Sequence, residues 1–464
     1  MLYFLGFLLL IVGMVMFVPV PVAVWFDEKT LIPAFVVPAV VAIAAGFFLR
    51  LRFPRTELSL GKAMVLVATI WILLSLFSSV PFMLGNGMSF IDSYFESMAG
   101  FTATGLTMIG DVESCKATLL FWRSLTQWVG GLGIIVLFLA ALLGAGKAAR
   151  KMYVAEARME RIEPSLRETA RALWKIYLLF TLAGVAGLYF AGMSLFEAIN
   201  HSMTGIATGG FTVRNASFAG YGSPVILVAI MVMLAGATSF AVHRRVMAGH
   251  WRELFRNVEV QLMIALIALA TLALIWSVGV KDALFQSVSA LSGTGFSTAN
   301  LSGWGDLQKG ILIILMIVGG GYGSTSSAIK LIRIAIIAKA IHWSIKRSFL
   351  PERAIVPMKL AGRIYTQDEV METAIYALIY VFVLMGGAVV LMTLGYPAMD
   401  SLFESASAQG NVGLSVGVTS TAMPVAGKIV LIVQMLVGRL EILPVVALVS
   451  YLISMIPRPR PRAF

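Results

Sequence analysis

Apolar runs long enough to cross a bilayer alternate with short polar stretches along this chain. At 1.5 Å per residue, about 20 apolar residues span the hydrocarbon core. Residues 3–25 and 31–49 form a first pair of such runs, turning at Phe26-Asp27-Glu28-Lys29. Arg50, Arg52, Arg55 and Lys62 follow, then a run over 63–84. Next comes a stretch too short and polar to cross, and a further run over 117–143. The same order recurs three times, with paired runs at 172–191 and 224–242, 258–278 and 310–342, and 371–394 and 425–456. The pattern predicts an all-α integral membrane protein. It has about ten transmembrane helices, four re-entrant helices, and non-helical segments between. It divides into an N-terminal helix pair (1–58) and four repeats (59–150, 151–250, 251–348 and 349–464).

Each repeat carries one short motif between its two crossings. The copies are Phe101-Thr102-Ala103-Thr104-Gly105-Leu106-Thr107, Ile206-Ala207-Thr208-Gly209-Gly210-Phe211-Thr212, Leu291-Ser292-Gly293-Thr294-Gly295-Phe296-Ser297 and Gln409-Gly410-Asn411-Val412-Gly413-Leu414-Ser415. Upstream stand Ser93-Tyr94-Phe95-Glu96, Ser194-Leu195-Phe196-Glu197 and Ser401-Leu402-Phe403-Glu404, with Ala283-Leu284-Phe285-Gln286 as a weaker copy. Ser-x-x-Glu is a capping box, so each unit reads as a capped helix of about three turns delivering a Thr/Gly segment. The spacing is shared by Phe95/Gly105, Phe285/Gly295 and Phe403/Gly413. In the second repeat it is longer, and the Gly209-Gly210 doublet leaves the register open.

Non-helical backbone at membrane depth is tolerated where it is buried or lines a water-filled cavity. Four such segments in one orientation can share a pore. Glycine lets their carbonyls turn inward, and rings of carbonyls replace a cation's hydration shell. Helix C-termini aimed at the axis would favour a cation further. Close helix packing in lipid explains single glycines, but not four copies of the whole unit.

Composition fits this picture: 59% of the 464 residues are hydrophobic and 12% charged, against about 25% charged in soluble domains. Mean hydropathy is +0.91. A net charge of +12 would suggest nucleic acid in a soluble protein, but here the basic residues lie between apolar spans. They cluster at 147–175, 244–256, 339–363 and Arg458/Arg460/Arg462, while Lys29, Lys116, Arg214, Lys309 and Lys428 are scattered on the other side. The cytoplasmic excess of Lys and Arg then puts both termini inside and every Thr/Gly segment toward the outside. The repeats are thus parallel rather than inverted. His243-Arg244-Arg245 reads as a membrane-edge anchor. The apolar N-terminus lacks a basic leader region and reads as a retained helix.

One cysteine, Cys115, excludes an intramolecular disulfide and a Cys-rich metal site, and the four histidines form no metal-spaced pair. The sequence has no P-loop, zinc pattern or nucleophile elbow, and an enzyme reading lacks paired acids or histidines inside the spans.

Two further features stand out. Gly319-Gly320-Gly321-Tyr322-Gly323-Ser324-Thr325-Ser326-Ser327-Ala328 interrupts an apolar run and is followed by Lys330 and Arg333; such residues hold a helix poorly. Arg439 lies mid-span, two residues from Glu441. A buried arginine costs at least about 2.5–3.5 kcal/mol and marks a functional candidate, the alternative being a local pair with Glu441.

The four repeats, the extra helix pair and Trp122-Arg123-Ser124-Leu125-Thr126-Gln127-Trp128-Val129-Gly130-Gly131 together resemble the Trk/Ktr/HKT superfamily of potassium transporters, most closely its TrkH-like membrane subunits. The resemblance implies a channel-like pore for potassium, without an organic cofactor. Its filter would be Ala103-Thr104-Gly105, Ala207-Thr208-Gly209 (or Gly210), Gly293-Thr294-Gly295 and Asn411-Val412-Gly413. It further implies that the 319–328 loop, with Lys330 behind it, gates the pore beneath the filter, and that Arg439 protrudes there. The family pattern has more glycine where this loop has Ser327-Ala328. Arg123 and Gln127 read as structural. Implied partners are a second copy in a homodimer and a cytoplasmic TrkA-type ring of nucleotide-binding subunits, with lipid headgroups at the basic loops. The implied location is the cell inner membrane. A sodium-permeable or ion-coupled transporter of the same superfamily is the runner-up, against which Gly105 argues, since serine stands there in plant-type members that favour sodium.

Overall fold

A computed structural model of the chain describes residues 1–133, 166–351 and 356–455. The end of the expected 117–143 crossing, the basic stretch up to residue 165 and the tail arginines lie outside the described residues. The N-terminal pair is α1 (Leu2–Met16) continued by α2 (Pro19–Trp25), and α3 (Ile32–Arg52), which packs along α1. Pro19 opens α2, where a missing N–H leaves no hydrogen bond unmade.

The first repeat is α4 (Leu60–Asn86), α5 (Phe90–Phe101) and α6 (Ala117–Leu132). The second is α7 (Leu166–Phe190), α8 (Leu195–Ile206), α9 (Ser223–Ala237) and α10 (Phe240–Met247). The third is α11 (Val258–Val278), α12 (Val280–Ser292), α13 (Asp306–Val318) and α14 (Leu331–Ser348). A hairpin of β1 (Met358–Leu360) and β2 (Arg363–Tyr365) leads to the fourth, α15 (Gln367–Thr393), α16 (Ala398–Gly410), α17 (Val425–Leu440) and α18 (Leu443–Met455). Among the described residues six helices are long and apolar enough to cross a membrane, and two bent pairs also qualify when each is taken together.

The second crossing of each repeat is not the continuous helix that its apolar run suggests. The helix axis turns by 105° between α9 and α10 and by 116° between α17 and α18. α6 stops at Gly133 (φ 92°), and α13 stops at Gly319 (φ 72°) with no helix until Leu331. Tertiary contacts hold the breaks open. Ala237 O, freed at the end of α9, accepts from Gly321 N (2.9 Å), and Phe240 N donates to Gly323 O (2.9 Å). His243, read as an edge anchor, is instead buried with a ring nitrogen 2.8 Å from Ala235 O. At the α17–α18 corner Glu441 and Ile442 both adopt left-handed backbone.

The start of each pore helix also departs from the capping-box reading. Ser194 and Glu197 do form a capping box on α8. Elsewhere the helix begins earlier, after Ser89, Gly279 and Pro397. Ser93 and Ser401 therefore lie inside helices, and Glu96 and Glu404 are buried mid-helix. An acid sits in the first turn of all four pore helices (Asp92, Glu197, Asp282, Asp400), where the helix dipole favours it. Two of these acids tie adjacent repeats together: Lys309 Nζ lies 2.8 Å from Asp400 and Lys428 Nζ 2.5 Å from Asp92.

Candidate ion-selective pore

Each pore helix ends in a helix-stop motif, and that motif builds the site. A left-handed residue ends the last helical turn in all four repeats: Ala103 (φ 51°), Thr208 (52°), Gly293 (75°) and Asn411 (53°). The next N–H reaches back to the fifth preceding carbonyl: Thr104 to Ala99 (2.9 Å), Gly209 to Thr204 (2.8 Å), Thr294 to Ser289 (3.0 Å) and Val412 to Ser407 (2.9 Å). The left-handed residue itself bonds three back, to Gly100, Gly205, Ala290 and Ala408. This is the Schellman pattern, which favours glycine or asparagine at its left-handed position. Ala103 and the β-branched Thr208 hold strained backbone there, the kind of strain that clusters at functional sites.

One residue further on stands a second positive φ, always at glycine: Gly105 (89°), Gly210 (77°), Gly295 (82°) and Gly413 (93°). These four close a ring. A Cβ on Gly105 would overlap the carbonyl oxygen of Gly209, one on Gly210 that of Thr294, one on Gly295 that of Val412, and one on Gly413 that of Thr104. Every repeat thus sets its glycine against the carbonyl of the next, and the fourth meets the first.

The same geometry settles the register of the second repeat. Seven residues past each cap stand Glu96, His201, Gln286 and Glu404, and nine further on stand Gly105, Gly210, Gly295 and Gly413. Gly210 therefore occupies the position of Gly105, Thr208 that of Ala103, and Ala207 falls in the helix cap with Thr102. Phe196 had seemed shifted because Ser194-Glu197 is a cap while Ser93-Glu96 is not.

The four residues at that seventh position hold the chain leaving the ring. Glu96 accepts from Thr107 Oγ1 (2.9 Å) and Met108 N (2.8 Å). Glu404 accepts from Ser415 Oγ (2.5 Å), Val416 N (2.9 Å) and Thr419 Oγ1 (2.6 Å). Gln286 donates to Ser297 Oγ (2.7 Å), and His201 Nε2 accepts from Val213 N (3.5 Å). Arg123, expected to be structural, pairs with Glu96 (2.7 Å) in full burial, donates to Thr212 O (2.9 Å) and lies 4.0 Å from the Phe211 ring centre. It thereby joins the exit segments of repeats one and two. Gln127 also touches the ring directly, donating to Gly209 O (2.6 Å) and accepting from Phe211 N (3.0 Å).

Residues 319–330 pack against this assembly beside Ile206 and Thr208. Thr325 Oγ1 is 2.9 Å from both Ile206 O and Gly236 O, and 3.3 Å from Thr208 Oγ1 next to the ring. Gly320 N donates to Ser326 Oγ (3.0 Å), and Ser324 Oγ to Gly321 O (2.6 Å). Arg439, 2% exposed, donates to Thr325 O (3.0 Å), Gly131 O (2.7 Å) and Gly130 O. It thus clamps the loop to the broken end of α6. Glu441, the alternative local partner, faces Arg333 (2.7 Å) and the buried Lys330 (3.4 Å) across the loop.

One chain whose four re-entrant segments close into a single ring of glycines and carbonyls, with a non-helical loop beneath it, has the construction of a cation-transport protein. The family model for TrkH, a cation transport protein, matches residues 32–275 and 276–455. An uncharacterized cation transporter of Methanocaldococcus jannaschii is 36% identical over 456 residues, covering 97% of this chain and 95% of that one. The Trk system potassium uptake protein TrkH of Halomonas elongata is 31% identical over 478 residues, covering 96% of each. The crystal structure of the potassium transporter TrkH from Vibrio parahaemolyticus superposes with a TM-score of 0.84 at 29% identity, covering 98% of both chains. This chain belongs to the TrkH family and is an integral membrane transport protein.

Proposed function

We propose that this chain takes potassium ions into the cell through a pore on the axis of its four repeats, with the ring carbonyls as selectivity filter. The closed ring of Gly105, Gly210, Gly295 and Gly413 carries this reading. Together with Ala103, Thr104, Thr208, Gly209, Gly293, Thr294, Asn411 and Val412 it offers successive tiers of backbone oxygens, the means by which a dehydrated cation is held. The relatives named as potassium uptake proteins support potassium as the ion. Loop 319–330 and Arg439 act as the gate below, and a cytoplasmic TrkA-type ring, docked under a dimer of this chain, supplies the signal that moves it. A gate needs an input with different affinity for its two states, and the chain's transmembrane repeats contain no nucleotide-binding motif. Rubidium uptake by a potassium-transport-deficient bacterium expressing the chain tests the transport reading; uptake no greater than in the empty strain refutes it.

Two expectations follow for orientation and partnership. Tags at Gly146, Gly249 and the C-terminus are expected to be cytoplasmic and tags near Asp111, Asn215 and Ser420 external, by accessibility to an impermeant label. An external C-terminus would invert the repeat scheme. The chain is also expected to co-purify with a TrkA-type ring, whose nucleotide then changes the rubidium flux. A nucleotide response by the chain alone would remove the partner from this account.

A further inference from the structure

The ring has one odd quarter, and two neighbouring side-chain positions make it so. Eleven residues past the caps of α6, α9, α13 and α17 stand Gln127, Met233, Met316 and Met435, all fully buried. Three of the four are thioethers, which donate no hydrogen bond. Gln127 alone carries an amide, and it is spent on the ring: Nε2 lies 2.6 Å from Gly209 O, and Oε1 lies 3.0 Å from Phe211 N.

The ring residue that Gln127 meets is odd as well. The positions preceding the ring glycines are Thr104, Gly209, Thr294 and Val412, so only the second lacks a side chain. A Cβ on Gly209 would stand 2.5 Å from both Cδ and Oε1 of Gln127 and 2.9 Å from Nε2. The Gln127 amide therefore fills the space that a side chain would occupy. This accounts for the Gly209-Gly210 doublet that obscured the register in the sequence. Even so, the Gly209 carbonyl keeps its place in the ring, against Gly105, as its three counterparts do against their own neighbours.

We propose that Gln127 is a positioning residue for ion affinity: its amide draws on one of four ring carbonyls, while the other three accept no hydrogen bond among the described residues. The inference rests on the ring being the filter. A carbonyl that already accepts a short hydrogen bond offers a bound cation a weaker field. Conduction needs sites that bind firmly enough to admit the ion and loosely enough to release it. The shared carbonyl makes this tier the looser one, which favours flux at the expense of affinity. A four-repeat single chain permits such asymmetry, because one quarter can change without the others.

The test is rubidium transport by the full-length chain, both in cells and in proteoliposomes, reading half-saturation and maximal rate separately. Gln127→Leu keeps the volume beside Gly209 and removes the donor. The half-saturating concentration is expected to fall about two- to tenfold, the effect of one neutral hydrogen bond, with a matching fall in maximal rate. Gly209→Thr is expected to abolish transport by driving a side chain into the amide. Adding Gln127→Met is expected to restore transport, now with the lower half-saturation, since Met stands at the Gln127 position in all three other repeats and Thr at the Gly209 position in two of them. Unchanged half-saturation in Gln127→Leu, with only lower thermal stability, would reduce Gln127 to a packing residue and overturn the proposal. Should Gln127→Leu fail to reach the membrane, the pair decides, and failure of Gln127→Met to rescue Gly209→Thr overturns it. Gly105→Ser run alongside separates the two levels. If its ion preference is unaltered, the filter reading falls and the inference with it. If its preference changes while Gln127→Leu keeps the original half-saturation, the inference alone falls.

Discussion

Gly105→Ser is expected to yield a protein that still inserts in the membrane but discriminates poorly between potassium and sodium. The ring admits no Cβ at this position, because the Gly209 carbonyl oxygen already occupies the space. The backbone is also left-handed there, at φ 89°. A non-glycine residue in that conformation is strained by about 1–2 kcal/mol, and the clash with the carbonyl adds to it. Relief comes from moving one or both strands, which displaces the Gly209 carbonyl from its tier. Selectivity between ions of similar charge depends on the number and field of these oxygens. The potassium-over-sodium ratio is expected to drop about tenfold, corresponding to about 1.4 kcal/mol of differential binding. Competition of sodium against rubidium uptake measures it, and a fully active, selective variant would mean that the ring is not the filter.

Arg439→Ala is expected to act in the opposite sense, raising flux and freeing it from regulation. Its guanidinium holds Thr325 of the loop and Gly130 and Gly131 of α6 from one buried position. The loss of one hydrogen bond from a charged donor is worth about 1.5–3 kcal/mol. A closed state weakened by that much shifts toward opening about tenfold or more. Removing residues 321–326 of the loop should have the same direction of effect, because Thr325 is what contacts Ile206 O and Gly236 O under the ring. Arg439→Lys keeps the charge but not the planar fork, and is expected to fall between the two. Single-channel recording on reconstituted protein is the direct measurement. Unchanged open probability in Arg439→Ala and in the shortened loop would assign both to packing.

The repeats themselves were legible because they rest on long apolar periodicity and on motifs repeated four times. Local features were read less well wherever a distant contact decides them. Ser-x-x-Glu is a helix start when nothing competes, as at Ser194. At Ser93 and Ser401 the earlier caps win, and Glu96 and Glu404 turn instead to the chain leaving the ring. The breaks in the second crossings left little trace for the same reason. Thr238 has no proline near it, and the neighbouring Ala237 carbonyl is satisfied by Gly321 of another repeat; Pro444, three residues past Glu441, was the one local sign of the last break. The third break was visible because Gly319–Gly321 and Gly323 are intrinsically poor in a helix. Gln127 was read as structural because its partner, Gly209, lies in another repeat.

The closure of the ring by the first and last repeats bears on how the protein can be made. Asn411 Nδ2 lies 2.8 Å from Thr104 Oγ1, Lys428 reaches Asp92, and Gly413 lies against the Thr104 carbonyl. The roughly 300 residues between these partners take about 15–60 s to synthesise at about 5–20 residues per second. Throughout that interval the first segment has a ring neighbour on one side at most. A ribosome that stalls before the fourth repeat leaves an open-sided sheet of helices in the bilayer, with no enclosed path for ions. Because the fourth repeat supplies the contact that meets the first, a copy lacking it closes no ring.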